Sequence, residues 1–137
     1  MSKVFLDTNI LVYSLDKADP GKQKKCRACI KTLGEDNNGV ISTQVMQEFY
    51  VASTAKLGAD PLIVKDILRS FERFEIVLIS PGLIKEAIDC SIINRLSFWD
   101  ALIVVSAESA QCVSLWSEDL NPGQVIRGVR IENPLTF

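Results

Sequence analysis

The stretch "KVFLDTNILVYSL" (3–15) decides the fold. "KVFLD" (3–7) is a short apolar run of the kind found in buried strands, and it ends on an acid. "TNILVYSL" continues with helical spacing. A strand running straight into a helix begins an α/β unit, in which the next strand lies parallel to the first. The chain then repeats the alternation. A helix is expected from about Pro20 to Leu33, then a strand "GVIS" (39–42), then a helix "QVMQEFYVASTAKLG" capped by Ser42 or Thr43 and stopped at Gly58. "DPLIVKDILRSFERF" begins on Asp60-Pro61, a cap and first-turn pair, and its Leu62, Ile63, Ile67, Leu68 and Phe71 read mostly as core. "EIVLIS" (75–80) is strand-like, "PGLIKEAIDCSIINRL" reads as an amphipathic helix, and "SFWDALIVVSA" (97–107) as a helix apolar almost all round. "CVSLWS" (112–117) and "VRIENP" (129–134) close the chain as strands. This order implies an α/β fold with a mostly parallel central sheet, whose ligands gather beyond the carboxyl ends of the strands.

The 137 residues suit one domain, 1–137, with a real core. No apolar run reaches the roughly 18 residues of a membrane span, and "KVFLD" follows the N-terminus without the basic and cleavage segments of a signal peptide. A cytoplasmic location with no membrane attachment is therefore expected. The net charge of −2 gives no global attraction to nucleic acid, so any such contact needs a local basic patch. The chain has no histidine. That excludes His-based triads, imidazole general bases and most zinc sites, leaving carboxylates, hydroxyls, thiols, lysines or a hard metal for any chemistry.

The acids are placed suggestively. Asp7 ends the first strand, and Asp119 follows "CVSLWS" by two residues, so both fall at the carboxyl edge of the sheet. Glu48 lies on the apolar side of its helix beside Val45, Ala52 and Ala55. Asp100 sits in the first turn of the apolar helix, with no basic residue in the five positions after it. Four carboxylates at one edge would repel one another unless a cation offset their charge, and oxygen-only ligands suit Mg²⁺ or Mn²⁺. Each acid also has a plainer role: Asp7 and Asp100 as helix-start groups, Asp119 in the turn "SEDLNPG", and Glu48 paired with Lys56.

Two other features call for a reading. Cys26 and Cys29 share a helical face with Leu33, so the four cysteines are expected as free core thiols rather than half a zinc site. On the opposite face Lys24, Arg27 and Lys31 form a basic stripe that suits phosphate contacts or simple solvation. Arg127 and Arg130 in "VIRGVRI" are uncommitted.

Four segments, "FLDTNILVYSLD", "STQVMQEFY", "LSFWDALIVVSA" and "LWSEDLNPGQVIRGVRIENPL", span the chain in an order that resembles the PIN-domain ribonucleases, most closely the VapC-type toxins of bacterial toxin–antitoxin pairs. The resemblance implies a three-layer α/β/α fold and a catalytic, metal-binding quartet of Asp7, Glu48, Asp100 and Asp119. It also implies supporting roles for Thr8, Asn9 and Ser117, and Mg²⁺- or Mn²⁺-dependent cleavage of RNA. A homodimer and an antitoxin partner are expected with it. One departure is Pro122, where similar sequences often carry His. The alternatives are a non-catalytic RNA- or protein-binding module on the same fold and a phosphotransferase with Asp7 as nucleophile. The latter usually has a second acid two residues on, where this chain has Asn9.

Overall fold

In a computed structural model, the described residues, 2–137, form a six-stranded sheet flanked by six α-helices. The strands are β1 (Val4–Leu6), β2 (Gly39–Ser42), β3 (Glu75–Val77), β4 (Ser114–Trp116), β5 (Val125–Ile126) and β6 (Val129–Glu132). The helices are α1 (Thr8–Tyr13), α2 (Pro20–Asp36), α3 (Thr43–Ala55), α4 (Pro61–Phe71), α5 (Pro81–Asn94) and α6 (Phe98–Ser109), and a 3₁₀ turn (Pro134–Thr136) ends the chain. The sheet order is β3-β2-β1-β4-β6-β5, parallel throughout except for the β5–β6 pair. The expected α/β/α architecture with a mostly parallel sheet is therefore the observed one.

The strand run at the N-terminus is buried throughout, as it must be in a parallel sheet covered on both faces. From β1 the chain builds outward to β2 and β3, then returns to add β4 on the other side. The crevice beyond the ends of β1 and β4 is the point where the strand order reverses, and such a switch point gathers ligands. Helix α6 lies against β2, β4 and β6, and α5 packs mainly on α6. Every residue from Ala101 to Ala107 is buried, which explains the apolar circumference of α6. Helices α1 to α4 form the other group, with α1 packed against both α2 and α3.

Helix starts follow their caps closely. Asp19-Pro20, Asp60-Pro61 and Ser80-Pro81 each pair an accepting side chain with proline in the first turn, and Ser42 accepts from the Val45 N–H. The structure departs from the sequence expectation mainly at ends. The strand expected at 75–80 stops at Val77, because Ser80 is taken as the cap of α5, and Leu78 is exposed. Strand 112–117 shortens to 114–116, since the Cys112 N–H closes the end of α6 on Ala107 O. Strand 129–134 ends at Glu132, and Pro134 starts the final turn. The unforeseen hairpin β5–β6 turns through Arg127 (φ 51°) and Gly128 (φ 79°), the positive pair that a tight two-residue turn demands. Arg127 is not uncommitted: its guanidinium donates to Glu86 on α5 at 2.7 Å and to Glu108 on α6 at 3.1 Å. On α4, Leu62 and Ile63 are exposed and only Val64 and Phe71 are fully in the core, a correction to the broader apolar face expected there. Val64 lies on one face with Ile67, Leu68 and Phe71, three, four and seven residues on, and that face is the one that packs on the core.

Candidate carboxylate site at the sheet edge

Asp7 sits one residue past β1 and caps α1, so strand end and helix cap are the same place. Its Oδ1 accepts from the Thr8 N–H at 2.7 Å, and its Oδ2 accepts from Ser117 Oγ at 2.8 Å and Asn9 Nδ2 at 3.4 Å. It is 6% exposed and has no cationic partner among the described residues. Burial pushes its carboxyl up to about 6. The Ser117 and Thr8 hydrogen bonds pull it down, and the charges of Asp119 and Glu48 add to the rise.

Asp119 stands on the loop after β4. Its N–H donates to Ser117 Oγ at 3.1 Å and its Oδ2 accepts from Asn9 Nδ2 at 3.0 Å. Asn9 also donates to Ser117 Oγ at 3.4 Å, while its Oδ1 accepts from the Glu118 N–H at 3.2 Å. One asparagine thus ties the ends of β1 and β4 together. Glu48, on the second turn of α3, accepts from Thr8 Oγ1 at 2.7 Å and from Gln44 Nε2 at 3.4 Å. Glu48 makes no ion pair with Lys56, which lies eight residues and more than two helical turns further on. Hydrogen bonds through Thr8, Asn9 and Ser117 thus link Asp7, Asp119 and Glu48, three of the four acids singled out in the sequence.

Asp100 is joined less directly. Ser97 Oγ accepts from its N–H at 3.1 Å, so Ser97 does cap α6. The Asp100 carboxylate makes no hydrogen bond or ion pair among the described residues and is half-buried. The start of α6 is linked to Glu48 by Gln44, whose Nε2 also donates to Trp99 O at 3.1 Å. Gln44 is buried, and its Oε1 has no partner. A groove of about 890 Å³ runs over this region, walled by Thr8, Asn9, Glu48 and Asp119 at its polar side and by Val12, Val51, Ala52 and exposed Trp99 elsewhere.

The donor set is oxygen-only and buried at Asp7, and none of the four acids makes an ion pair among the described residues, although Lys56 lines the same groove; such a set suits a hard divalent ion. Yet among the described residues no three carboxylate or thiol groups converge tightly enough to enclose one.

The basic stripe on α2 is partly engaged. Lys24 is exposed, Arg27 Nε donates to Ser14 O at 2.8 Å, and Lys31 lies 3.9 Å from Glu35. None of the three lines the groove. The cysteines are free thiols; burial pushes Cys26 and Cys112 up to about 12, and Cys29 is raised by the same cause. Sequence reading missed Gln44, Tyr13 and Glu118, and took Lys22 only as a neighbour of the basic stripe, whereas it pairs with Glu118. Only the four-residue interval between Gln44 and Glu48 gave a signal, since it puts both on one helix face.

An acid-lined crevice lies at the switch point of a mostly parallel α/β sheet, in a chain without histidine. A family model of the PIN domain matches residues 4–125, and the chain belongs to the PIN-domain family. Its structural neighbours are VapC toxins of VapBC toxin–antitoxin systems. The Mycobacterium tuberculosis toxin VapC20, a sarcin–ricin loop cleaving toxin, superposes with a TM-score of 0.69 at 14% identity, covering 85% of this chain and 90% of that one. A DNA-bound VapBC from Salmonella typhimurium gives 0.69 at 18% identity, over 98% and 99% of the chains. A toxin–antitoxin complex from Klebsiella pneumoniae gives 0.68 at 20% identity, over 93% and 95%. At these identities the likeness establishes the fold. No curated protein sequence matches the chain. Among the described residues, no helix is long and apolar enough to cross a membrane.

Proposed function

We propose that the protein is a metal-dependent endoribonuclease, the toxin of a toxin–antitoxin pair, acting in the cytoplasm. The observation that carries this reading is the hydrogen-bonded linkage of Asp7, Asp119 and Glu48 through Thr8, Asn9 and Ser117 at the switch point of the sheet. Asp7, Glu48, Asp100 and Asp119 would hold Mg²⁺ or Mn²⁺. The ion would supply Lewis-acid polarisation of the scissile phosphate and a nucleophilic water at neutral pH. The residues of the chain do the rest. Asn9 and Ser117 hydrogen-bond to Asp7 and Asp119, Thr8 and Gln44 hydrogen-bond to Glu48, and Asp100 would join them from the first turn of the buried helix α6. Proton transfer falls to carboxylates, since the chain has no imidazole. Lys24, Arg27 and Lys31 remain available for the RNA backbone, with Arg27 having to leave Ser14 O to reach it.

An antitoxin would be the physiological partner, in line with the complexes among the structural neighbours. A homodimer is supported by α5, where Ile84, Ile88 and Ile92 recur every four residues on an exposed face. The separation of the acids is the one observation that favours a non-catalytic RNA- or protein-binding module instead. The deciding experiment is cleavage of a structured RNA panel with Mn²⁺ and with chelator. Cleavage that requires the ion supports the nuclease, and RNA retention with no cleavage supports the binding module.

A further inference from the structure

We infer that Tyr13, Lys22 and Glu118 form a positioning clamp that holds Asp119 against Asp7, an inference that rests on the carboxylate site proposed above. Asp119 is exposed on the loop after β4, where an acid left to itself samples several rotamers. The residue before it is fixed at both ends. The Glu118 N–H donates to Asn9 Oδ1 at 3.2 Å, and its two carboxylate oxygens are taken separately, one by Tyr13 Oη at 2.5 Å and one by Lys22 Nζ at 2.9 Å. Lys22 closes the arrangement by donating to Tyr13 Oη at 3.3 Å, with its ammonium 4.6 Å from the centre of the tyrosine ring.

Helix geometry explains why these contacts act together. Asn9 and Tyr13 are four residues apart on α1, so they lie one above the other on a single face. That face presents Asn9 to Asp119 and Tyr13 to Glu118, gripping two consecutive residues of one loop from one helix. Lys22, from the first turn of α2, grips the second oxygen from the other side. An isolated solvent-facing Lys–Glu pair stabilises a fold little. Its value here is geometric: a carboxylate ligand is effective when the groups behind it fix its orientation, and loss of such support lowers metal affinity or activity by about 10- to 100-fold. None of the three residues touches Asp7 or the groove's acids directly through its side chain, so they are positioning residues, not catalytic ones.

The test is Mn²⁺ binding to the RNA-free protein by titration calorimetry, alongside RNA cleavage, for wild type, Tyr13→Phe, Lys22→Met and Lys22→Arg. Tyr13→Phe and Lys22→Met are each expected to weaken Mn²⁺ binding about tenfold and to lower kcat with little change in KM. Lys22→Arg keeps a cation within reach of Glu118 and is expected to bind Mn²⁺ as wild type does. The melting temperature of Lys22→Met is expected to stay near that of wild type. Mn²⁺ affinity within twofold of wild type in both variants, with unchanged kcat, overturns the clamp and leaves the carboxylate site standing. Affinity lost only in step with melting temperature also overturns it. A wild-type protein that binds no Mn²⁺ removes the site and the clamp together.

Discussion

Asp7→Asn in the presence of chelator turns the burial of Asp7 into a measurable stability. The wild-type carboxyl is raised from 3.8 to about 6, first because it is buried and then because Asp119 and Glu48 lie nearby, against the opposing hydrogen bonds of Ser117 and Thr8. A folded-state value above the unfolded one means that the ionised form is disfavoured by folding. The contribution of this group is therefore most favourable below pH 4 and is lost as the pH rises through about 6. The rise corresponds to an upper limit of about 3 kcal/mol at neutral pH. Asparagine keeps one oxygen for the Thr8 N–H and remains a good helix cap, but its amide must donate to Ser117 Oγ, which then turns its own proton elsewhere. Offsetting about 1 kcal/mol for that rearrangement leaves Asp7→Asn more stable than wild type by about 1–2 kcal/mol at pH 7.5.

Urea unfolding of both proteins in chelator, from pH 4 to pH 8, measures this directly. Taking the difference between the two cancels the other titrating groups, including Glu118, whose carboxyl is lowered by Tyr13 and Lys22 although its own burial opposes that. The expected difference is near zero or slightly against the variant at pH 4 and grows in its favour across pH 5–7. A variant that is less stable than wild type at pH 7.5, with no trend in pH, would show that the hydrogen bonds of Asp7 outweigh its burial and refute the reasoning.

Ser97→Ala removes the cap on the Asp100 N–H and is expected to cost about 1 kcal/mol in thermal or urea unfolding, whereas Asp100→Asn in chelator leaves stability unchanged or raises it. A larger loss from Asp100→Asn than from Ser97→Ala would make Asp100 a structural residue. Cys26 and Cys112, buried and pushed up to about 12, should resist a thiol reagent at pH 8 until the protein unfolds, with half-buried Cys29 reacting before them. Rapid labelling of all four thiols in the native protein would contradict the packing of α2, of α5 and of the turn that follows α6.

The alternation of strand and helix was legible because the strands are short, fully buried apolar runs and the helices carry strong caps. The ends were not, because a residue such as Ser80 can extend a strand or cap a helix, and only the packing of α5 decides. The hairpin at Arg127-Gly128 escaped notice because its strands are two and four residues long and its turn lacks the usual Asn-Gly. Leu62 and Ile63 looked like core because helical spacing shows that a face is apolar, not whether this chain covers it. At the site, Asp7 and Asp119 were readable from strand ends and Glu48 from its helix face. Thr8, Asn9 and Ser117, which the resemblance named, hydrogen-bond to these acids; the meeting of Tyr13, Lys22 and Glu118 across α1, α2 and the loop after β4 was not legible, because no local spacing records it. Asp100 was readable from its lack of a basic partner, and it has none among the described residues.

The most direct test of the central claim is the rate of Mn²⁺-dependent RNA cleavage by wild type and Asp100→Asn, measured side by side on the same RNA panel. Asp100 is the decisive position because no hydrogen bond of its carboxylate supports the fold, so its loss acts on chemistry alone. Cleavage by wild type that disappears in Asp100→Asn and in chelator is the predicted result. Equal cleavage by the two proteins would contradict the four-carboxylate site.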